Sequence, residues 1–189
     1  MEKPMLNVVP FVREGLGNSS YLLQLGESEA ALIDPDRCVD RYLETAGSHG
    51  WRISSIFETH IHADFVSGAL EVAHLTGAPV YVPEEAQVQF PHKVLPSGAN
   101  IRLGELKVEP IASPGHTPEH SSYLFRRADA APVLFSGGSM IVGGASRTDL
   151  ISERMTEQLT RAQHRTLMTA FSSLGDETML FPTHGAGSF

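Results

Sequence analysis

The sequence predicts a mixed α/β (α+β) fold in which two β-sheets pack together and helices cover the outside, an αββα arrangement of four layers. Two observations support this. The apolar patterns occur in the order strands, helices, strands, helix and strand, which favours packed sheets with external helices. Three histidine-containing loops also follow strand ends, the usual place for ligand sites in α/β proteins. No repeat or linker divides residues 1–189, so one domain is expected.

The first half of the chain predicts three strands or strand pairs interrupted by two helices. Residues 20–25 and 30–35 are apolar runs separated by GESE, which is typical of an antiparallel hairpin. Asp36 can cap a helix that ends at Gly47 or Gly50. The segment ISSIFETH then predicts a strand, FVSGALEVAHLTG a helix and PVYVP a short strand.

The second half predicts mainly antiparallel strands followed by the longest helix. The strand segments are IRLGELKVEPIAS, HSSYLFRR and APVLFSGG, each broken by glycine or proline. Helical periodicity covers residues 153–174 with Gly175 behind it. A last strand, TMLFP, leads into the loop THGAG.

Composition narrows the possible partners. The formal charge of -8 includes no basic run, so nucleic acid and anionic membranes are not expected partners, and a small molecule is. No apolar stretch reaches the ~20 residues of a membrane span, and the N-terminus lacks the signal-peptide pattern, which predicts a cytoplasmic protein. The single cysteine, Cys38, excludes an intramolecular disulfide and is expected in a helix near a core rather than as a nucleophile.

The stretch THIHADF places polar residues at every second position. In an extended segment, His60, His62 and Asp64 lie on one side, as metal ligands do. A half-buried strand with polar residues facing water gives the same alternation. His116 and His184 also lie in glycine- or proline-containing loops, and these further histidines favour the metal site.

Three loops, THIHAD, SPGHTPEH and FPTHGAG, occur in an order and spacing that resemble the metallo-β-lactamase superfamily over nearly the whole chain. Together with SRTDL, they look most similar to the persulfide dioxygenase branch, which is related to glyoxalase II. The resemblance implies the αββα fold and a metal-dependent enzyme acting on a small-molecule thiol or persulfide. Members are often fused to a rhodanese domain and continue beyond this C-terminus. The resemblance therefore implies possible truncation, and a homodimer or a separate rhodanese-type partner.

The resemblance also implies a ligand set. His60, His62 and His116 match the first metal, and Asp64 and His184 match second-metal or outer-shell positions. Two substitutions favour a single iron or zinc ion: Phe65 stands where relatives have a second-site histidine, and Gly138 where they have a bridging aspartate. His62 is the expected replacement for that carboxylate, with Asp64 and Asp149 as alternatives. An aspartate at position 138 is expected to tighten metal binding if the backbone accepts it.

Asp64 and Arg147 are the expected catalytic residues. Arg147 can anchor a carboxylate of a glutathione-like substrate, or it can pair with Asp149. His120 is expected at a turn or on the surface. The threonines beside the histidines can orient the ligand rings or simply cap turns: Thr59, Thr117 and Thr183.

Three functions follow from this pattern. The first is oxidation of a low-molecular-weight persulfide to sulfite at one metal ion. The second is hydrolysis of a thioester, as in glyoxalase II, although the substitutions at positions 65 and 138 remove two ligands of a two-metal site. The third is a non-catalytic relative that binds a sulfur compound or a protein partner.

Overall fold

The computed structural model describes residues 3–13 and 15–185 and contains two β-sheets and three α-helices in that part of the chain. The first sheet has the order β1-β2-β3-β4-β5-β6 and the second has the order β11-β10-β9-β8-β7. The first sheet comprises β1 (Val8–Arg13), β2 (Asn18–Gln24), β3 (Glu29–Ile33), β4 (Arg52–Phe57), β5 (Val80–Val82) and β6 (Lys93–Val94). The second comprises β7 (Ile101–Leu103), β8 (Leu106–Ala112), β9 (Ser121–Arg126), β10 (Val133–Gly137) and β11 (Met179–Pro182).

Side-chain alternation along the strands creates the layers. Leu23 and Ile33 point into a core between the two sheets, together with Phe125 of the opposite sheet, whereas Leu22 and Leu32 point to the other face. Successive residues of a strand face opposite sides, so one strand serves both cores. Burial on both faces explains why these strands are almost continuously apolar.

The helices cover the outer faces. Helices α1 (Asp40–Ser48) and α2 (Ala69–Thr76) pack on the first sheet through residues such as Tyr42 and Val72. Helix α3 (Glu153–Thr166) continues into a π-helical turn, Leu167–Phe171, which packs on the second sheet through Phe171. The predicted αββα sandwich is therefore confirmed. None of the described helices has the length and hydropathy that a membrane span requires.

Several local predictions need correction. The first helix begins at Asp40, and Asp36 is not its cap, because the Asp36 carboxylate binds Arg13, Arg41 and the Cys38 backbone N–H. Cys38 consequently precedes the helix and is exposed, not packed near a core. The second helix begins only at Ala69.

Three further differences concern chain segmentation. Strand β1 was not predicted, because Pro10 interrupts its pattern; it is an edge strand, where a missing N–H is tolerated. The segment after Asn100 divides into an antiparallel hairpin, because Gly104 has a φ of 55° and turns the chain. The predicted helix over 153–174 is α-helical only to Thr166.

Candidate metal centre

The ends of four strands bring the histidine loops to one edge of the sandwich. His60 follows β4, His116 lies between β8 and β9, and His184 follows β11. Strand β10 ends at Gly137, whose carbonyl accepts the Thr183 N–H at 3.0 Å. The Ser19 N–H donates to the Thr183 carbonyl at 2.8 Å, so the final loop is held by both sheets.

His60, His116 and His184 form one cluster. A ring nitrogen from each can be chosen so that all three lie within 4.8 Å of one another. The Nε2 atoms of His60 and His184 are 3.1 Å apart. All three residues are at most 5% exposed.

Hydrogen bonds fix the tautomer of His60. The Thr59 hydroxyl donates its proton to Asp34 Oδ2 at 2.7 Å, so its oxygen can only accept from His60 Nδ1, which lies 2.9 Å away. His60 Nδ1 therefore carries the proton. The lone pair of His60 is on Nε2, the atom that faces the cluster.

The other two rings are oriented in the same way. His116 Nδ1 lies 2.9 Å from the Arg147 carbonyl oxygen, which only accepts, so Nδ1 donates there. His184 Nδ1 lies 3.2 Å from Asn18 Oδ1, which also only accepts. All three histidines thus direct an Nε2 lone pair toward the cluster, with Nδ1 held by an acceptor as in metal-ligating histidines.

Electrostatics keep these rings neutral. Burial lowers the pKa of His60 well below its ordinary value, and the neighbouring histidines lower it further. Burial also lowers the pKa of His116 and, with His116 as a further cause, lowers that of His184 to about 4. Neutral imidazole is the form that binds a metal.

The donor set fits a transition-metal ion. Lone pairs on His60 and His184 that face each other at 3.1 Å repel unless a cation or a proton lies between them. Nitrogens bound to one metal at ~2.0–2.1 Å are separated by roughly 3.0–3.4 Å. Three neutral histidines leave coordination positions open, which suits zinc or iron.

Gly138 lies directly against this cluster. A Cβ added there would lie 2.4 Å from His116 Cδ2 and 2.9 Å from its Nε2. The His116 ring therefore occupies the space that an aspartate side chain at position 138 would need. The simple expectation that Gly138→Asp tightens metal binding is incompatible with this position of His116, although it correctly placed residue 138 beside the cluster.

His62 does not occupy its expected position in the ligand cluster, although its ring lies next to that of His60 with centroids 4.1 Å apart. Its Nε2 is 3.2 Å from Asp34 Oδ1 and 3.2 Å from Glu58 Oε2, and its side chain is 2% exposed. Burial alone would lower the pKa of His62, but the two carboxylates raise it to about 10. The predicted trio of His60, His62 and His116 is thus not the cluster that the structure assembles, and His184 takes the third place.

Phe65 supports this position of His62. The two rings stack with centroids 4.2 Å apart and planes inclined by 28°. His62 can also be grouped with Asp64 and His184 as possible ligands within 4.8 Å. Because Asp34 and Glu58 raise the pKa of His62, a metal ion in that second group would have to displace a proton from the imidazole.

Asp64 stands beside His184 rather than within the three-histidine cluster. Its Oδ2 accepts from Asn18 Nδ2 at 2.7 Å and lies 3.6 Å from His184 Nδ1. Asp64 also belongs to the second group of possible ligands with His62 and His184, so its place as a second-site or an outer-shell residue stays a prediction.

Arg147 and Asp149 form a bidentate pair, with distances of 2.6 and 2.9 Å. Of the two expectations for the Arg147 side chain, pairing with Asp149 is therefore the one observed. Asp149 is not a member of any described ligand group.

His120 is buried, contrary to the expectation of a turn or surface residue. Its Nε2 accepts the Gly138 N–H at 3.1 Å, and its Nδ1 is 2.8 Å from Ser113 Oγ. The ring stacks on His60 with centroids 5.0 Å apart. His120 thus holds the backbone after β10 against the cluster and has no ring nitrogen left for a metal.

The sequence pattern missed Asp34, which organises the base of the site. Its fully buried carboxylate accepts hydrogen bonds from the Thr59 N–H and from the hydroxyls of Thr59 and Thr183. Burial opposes its ionisation, but the neighbouring His62 and these hydrogen bonds hold its pKa below the ordinary value. The available signal was an aspartate directly after an apolar strand, in a left-handed conformation (φ 47°) that aspartate tolerates well.

A cavity of about 400 Å³ opens onto the three histidines. Its polar lining includes Asp64, Thr117, Ser146 and Arg147. The apolar part consists of Ile61, Ala63, Ile141, Ala145 and Leu150. A small molecule can thus reach the Nε2 atoms from one side.

A two-sheet sandwich with a histidine cluster at one edge defines a metal-binding protein of the αββα class. Residues 13–184 match the Metallo-beta-lactamase superfamily, and the chain belongs to that family. Its members include metal-dependent hydrolases and oxygenases.

Named relatives narrow the comparison. A hydroxyacylglutathione hydrolase from Pseudomonas entomophila is 30% identical over 171 residues, covering 88% of this chain and 61% of the relative. A metallo-beta-lactamase structure from Staphylococcus aureus is 32% identical with a TM-score of 0.88, covering 97% of this chain and 57% of that one. ETHE1 from Myxococcus xanthus is 26% identical with a TM-score of 0.80, covering 95% and 76%. The chain thus spans about three fifths of the length of the first two.

Proposed function

We propose that the protein is a mononuclear metalloenzyme that oxidises a low-molecular-weight persulfide to sulfite. The observation that carries the proposal is the convergence of three neutral Nε2 donors, from His60, His116 and His184, at the end of a cavity. The likeness to ETHE1 supports the persulfide branch of the family. The reaction is R–S–SH + O₂ + H₂O → R–SH + SO₃²⁻ + 2 H⁺, in which the terminal sulfur loses four electrons to oxygen.

A bound iron ion would supply the redox chemistry and the positive charge that favours a thiolate ligand. The residues of the chain prepare the site for it. Asp34 orients His60 through Thr59, the Arg147 carbonyl orients His116, and Asn18 orients His184. Rings held in this way need little reorganisation on binding.

Asp64 is the proposed proton acceptor. It lines the cavity beside His184, and one of its oxygens already accepts from Asn18. A carboxylate there can take the proton of the substrate S–H as the sulfur approaches the cluster.

Thioester hydrolysis is the second candidate function. The named hydroxyacylglutathione hydrolase relatives favour it, and His62, Asp64 and His184 lie close enough to form part of a second metal group. Two observations favour one metal ion instead. Phe65 offers no nitrogen donor, and His62 is paired with carboxylates.

One set of measurements separates the two candidates. Purified protein is loaded anaerobically with iron or, separately, with zinc. Metal content, oxygen uptake with glutathione persulfide and with an alkyl persulfide, and hydrolysis of a hydroxyacylglutathione thioester are then recorded. The proposal expects about one iron per chain and persulfide-dependent oxygen uptake that His116→Ala abolishes. Thioester hydrolysis without oxygen uptake would replace it with the second candidate. A chain that binds neither metal and is not stabilised by either would instead be a non-catalytic relative.

A further inference from the structure

The cavity above the three histidines has apolar walls on two sides. Ile61 and Ala63 come from the loop after β4, and Ile141 and Leu150 come from the loop after β10. Ile61 is 46% exposed and Leu150 is 37% exposed. Apolar side chains left exposed around a concave site mark a surface that gains free energy when a ligand covers it.

The charges at the cavity do not favour an anionic ligand. Arg147 is the one cationic side chain among its described lining residues, and both oxygens of Asp149 already occupy its guanidinium fork at 2.6 and 2.9 Å. Asp64 lies in the wall. Glu119 lies beside it, where its Oε1 accepts the Ile61 N–H at 2.9 Å. The cavity lining and its immediate neighbours thus include three carboxylates, from Asp64, Glu119 and Asp149, and one guanidinium.

A free glutathione derivative carries two carboxylates and one ammonium group. Asp149 already occupies two of the five N–H groups of Arg147, so a substrate carboxylate bound there would share the guanidinium with an anion only two residues away in the chain. The other carboxylate would meet the anionic rim. Like-charge contacts of this kind select against a partner, whereas the apolar walls select for methylene or aromatic groups.

We propose that the substrate is a thiol derivative whose sulfur is attached to an apolar chain, and that the walls formed by Ile61, Ile141 and Leu150 determine this specificity. The proposal rests on the proposed function, because it assumes that the sulfur approaches the metal at the three-histidine cluster. Each methylene in full contact with the walls is expected to strengthen binding about fourfold.

The test measures thiol binding rather than turnover. Protein loaded with Co²⁺ is titrated with pentane-1-thiol, 2-mercaptoethanol and glutathione, and the sulfur-to-cobalt charge-transfer absorbance gives each Kd, corrected for the thiolate fraction. Pentane-1-thiol is expected to bind at least tenfold more tightly than either polar thiol. Tighter binding of glutathione would overturn the inference while leaving the proposed function intact. Cobalt binding with no thiolate band for any thiol would overturn the proposed function itself.

Matched variants locate the effect. Leu150→Ala should weaken pentane-1-thiol binding about tenfold and change glutathione binding little, whereas Met168→Ala, which removes an exposed apolar side chain outside the cavity lining, should change neither. Asp149→Asn should release Arg147 and strengthen glutathione binding severalfold without affecting pentane-1-thiol. Equal responses of Leu150→Ala and Met168→Ala, or an unchanged preference in Asp149→Asn, would contradict the assigned roles of the walls and of the ion pair.

Discussion

His60 and His62 are two residues apart, yet they lie in opposite chemical environments. The Nδ1 of His60 faces a hydroxyl that is already committed to Asp34, so the ring stays neutral and directs a lone pair outward. The Nε2 of His62 faces Asp34 and Glu58 directly, and their charges raise its pKa to about 10. The Thr59 hydroxyl lies between Asp34 and His60, whereas no group lies between Asp34 and His62. This difference makes His60 a neutral metal ligand and His62 a buried cation.

The same carboxylate serves both regions. Asp34 accepts from Thr59 and Thr183 on the side of the metal cluster and lies next to His62 on the other side. The positive charge of His62 therefore compensates the Asp34 carboxylate. Asp34 contacts His60 only through the neutral hydroxyl of Thr59. In this arrangement His60 serves as a metal ligand, and His62 compensates the negative charge of Asp34 and Glu58.

The largest effects are expected when one histidine is removed from the carboxylate pair and one from the metal cluster. His62→Gln leaves Asp34 and Glu58 buried without a cation, so we expect a loss of about 3–5 kcal/mol in the free energy of unfolding. His184→Gln should lower metal affinity ~100-fold, because one ligand of three is lost. Urea unfolding and chelator competition measure the two quantities. If folded His62→Gln binds metal as weakly as His184→Gln, His62 belongs to the metal set after all.

Removing the intervening hydroxyl tests how the two regions communicate. Thr59→Val deletes the acceptor for His60 Nδ1 and the donor to Asp34 while conserving volume, and we expect metal affinity to fall about 10- to 100-fold. Thr59→Ser keeps the hydroxyl and should stay within about threefold of the parent affinity. Competition with a chromogenic chelator distinguishes these values, and equal affinities for valine and serine would exclude the orienting role.

Substitutions at Gly138 test whether metal binding depends on the position of the His116 ring. Gly138→Ala adds the Cβ that would lie 2.4 Å from His116 Cδ2, so the ring must move and metal affinity should fall about tenfold. Gly138→Asp introduces the same Cβ together with a possible oxygen ligand. We therefore expect it to bind metal more tightly than the alanine variant but no more tightly than the parent, by the same chelator competition. An aspartate variant that exceeds the parent would show that His116 can move without cost.

The pH dependence of the metal-free protein tests the charge states of the two regions. His184 has a folded pKa of about 4, below the unfolded value near 6.5, so the unfolded state binds more protons between these values and acid destabilises the fold. His62 has a raised pKa of about 10, so its stabilising contribution is present below ~6.5 and is lost as the pH rises toward 10.

Variants can assign the loss of stability at acid pH to His184 and the loss at alkaline pH to His62. His184→Gln should recover about 0.7 kcal/mol of the stability that the parent loses between pH 7 and pH 6, whereas His62→Gln should flatten the loss above pH 7. Unfolding free energies across pH 5.5–9 in the presence of a chelator provide the measurement. If the unfolding free energy of His62→Gln still falls above pH 7, His62 is not the group responsible for that loss.

Local sequence was sufficient for most of the strands that form the sandwich, with β1 as an exception because Pro10 interrupts its pattern. The hairpin of β2 and β3 follows from two apolar runs around GESE, and its antiparallel pairing is confirmed. The positions of His60, His116 and His184 at strand ends also follow from the pattern. These features depend on side-chain period and turn residues, which are local properties.

The role of each histidine was not predictable in the same way. Sequence alternation placed His62 beside His60, but it could not show that Asp34 and Glu58 fill the space behind the loop. It also could not show that the ring of His116 occupies the volume next to Gly138. Asn18, which is 166 residues from His184 in the chain, orients that histidine by a contact that no local pattern contains.

The sequence by itself thus determined the fold class, the family and the set of histidines from which a metal centre is built. Only the tertiary structure decided which three form the cluster, which nitrogen each presents and which histidine becomes a buried cation. The physical reason is that periodicity depends on the chain's own geometry. Tautomer and charge depend on the groups that other strands bring within about 3 Å of each ring.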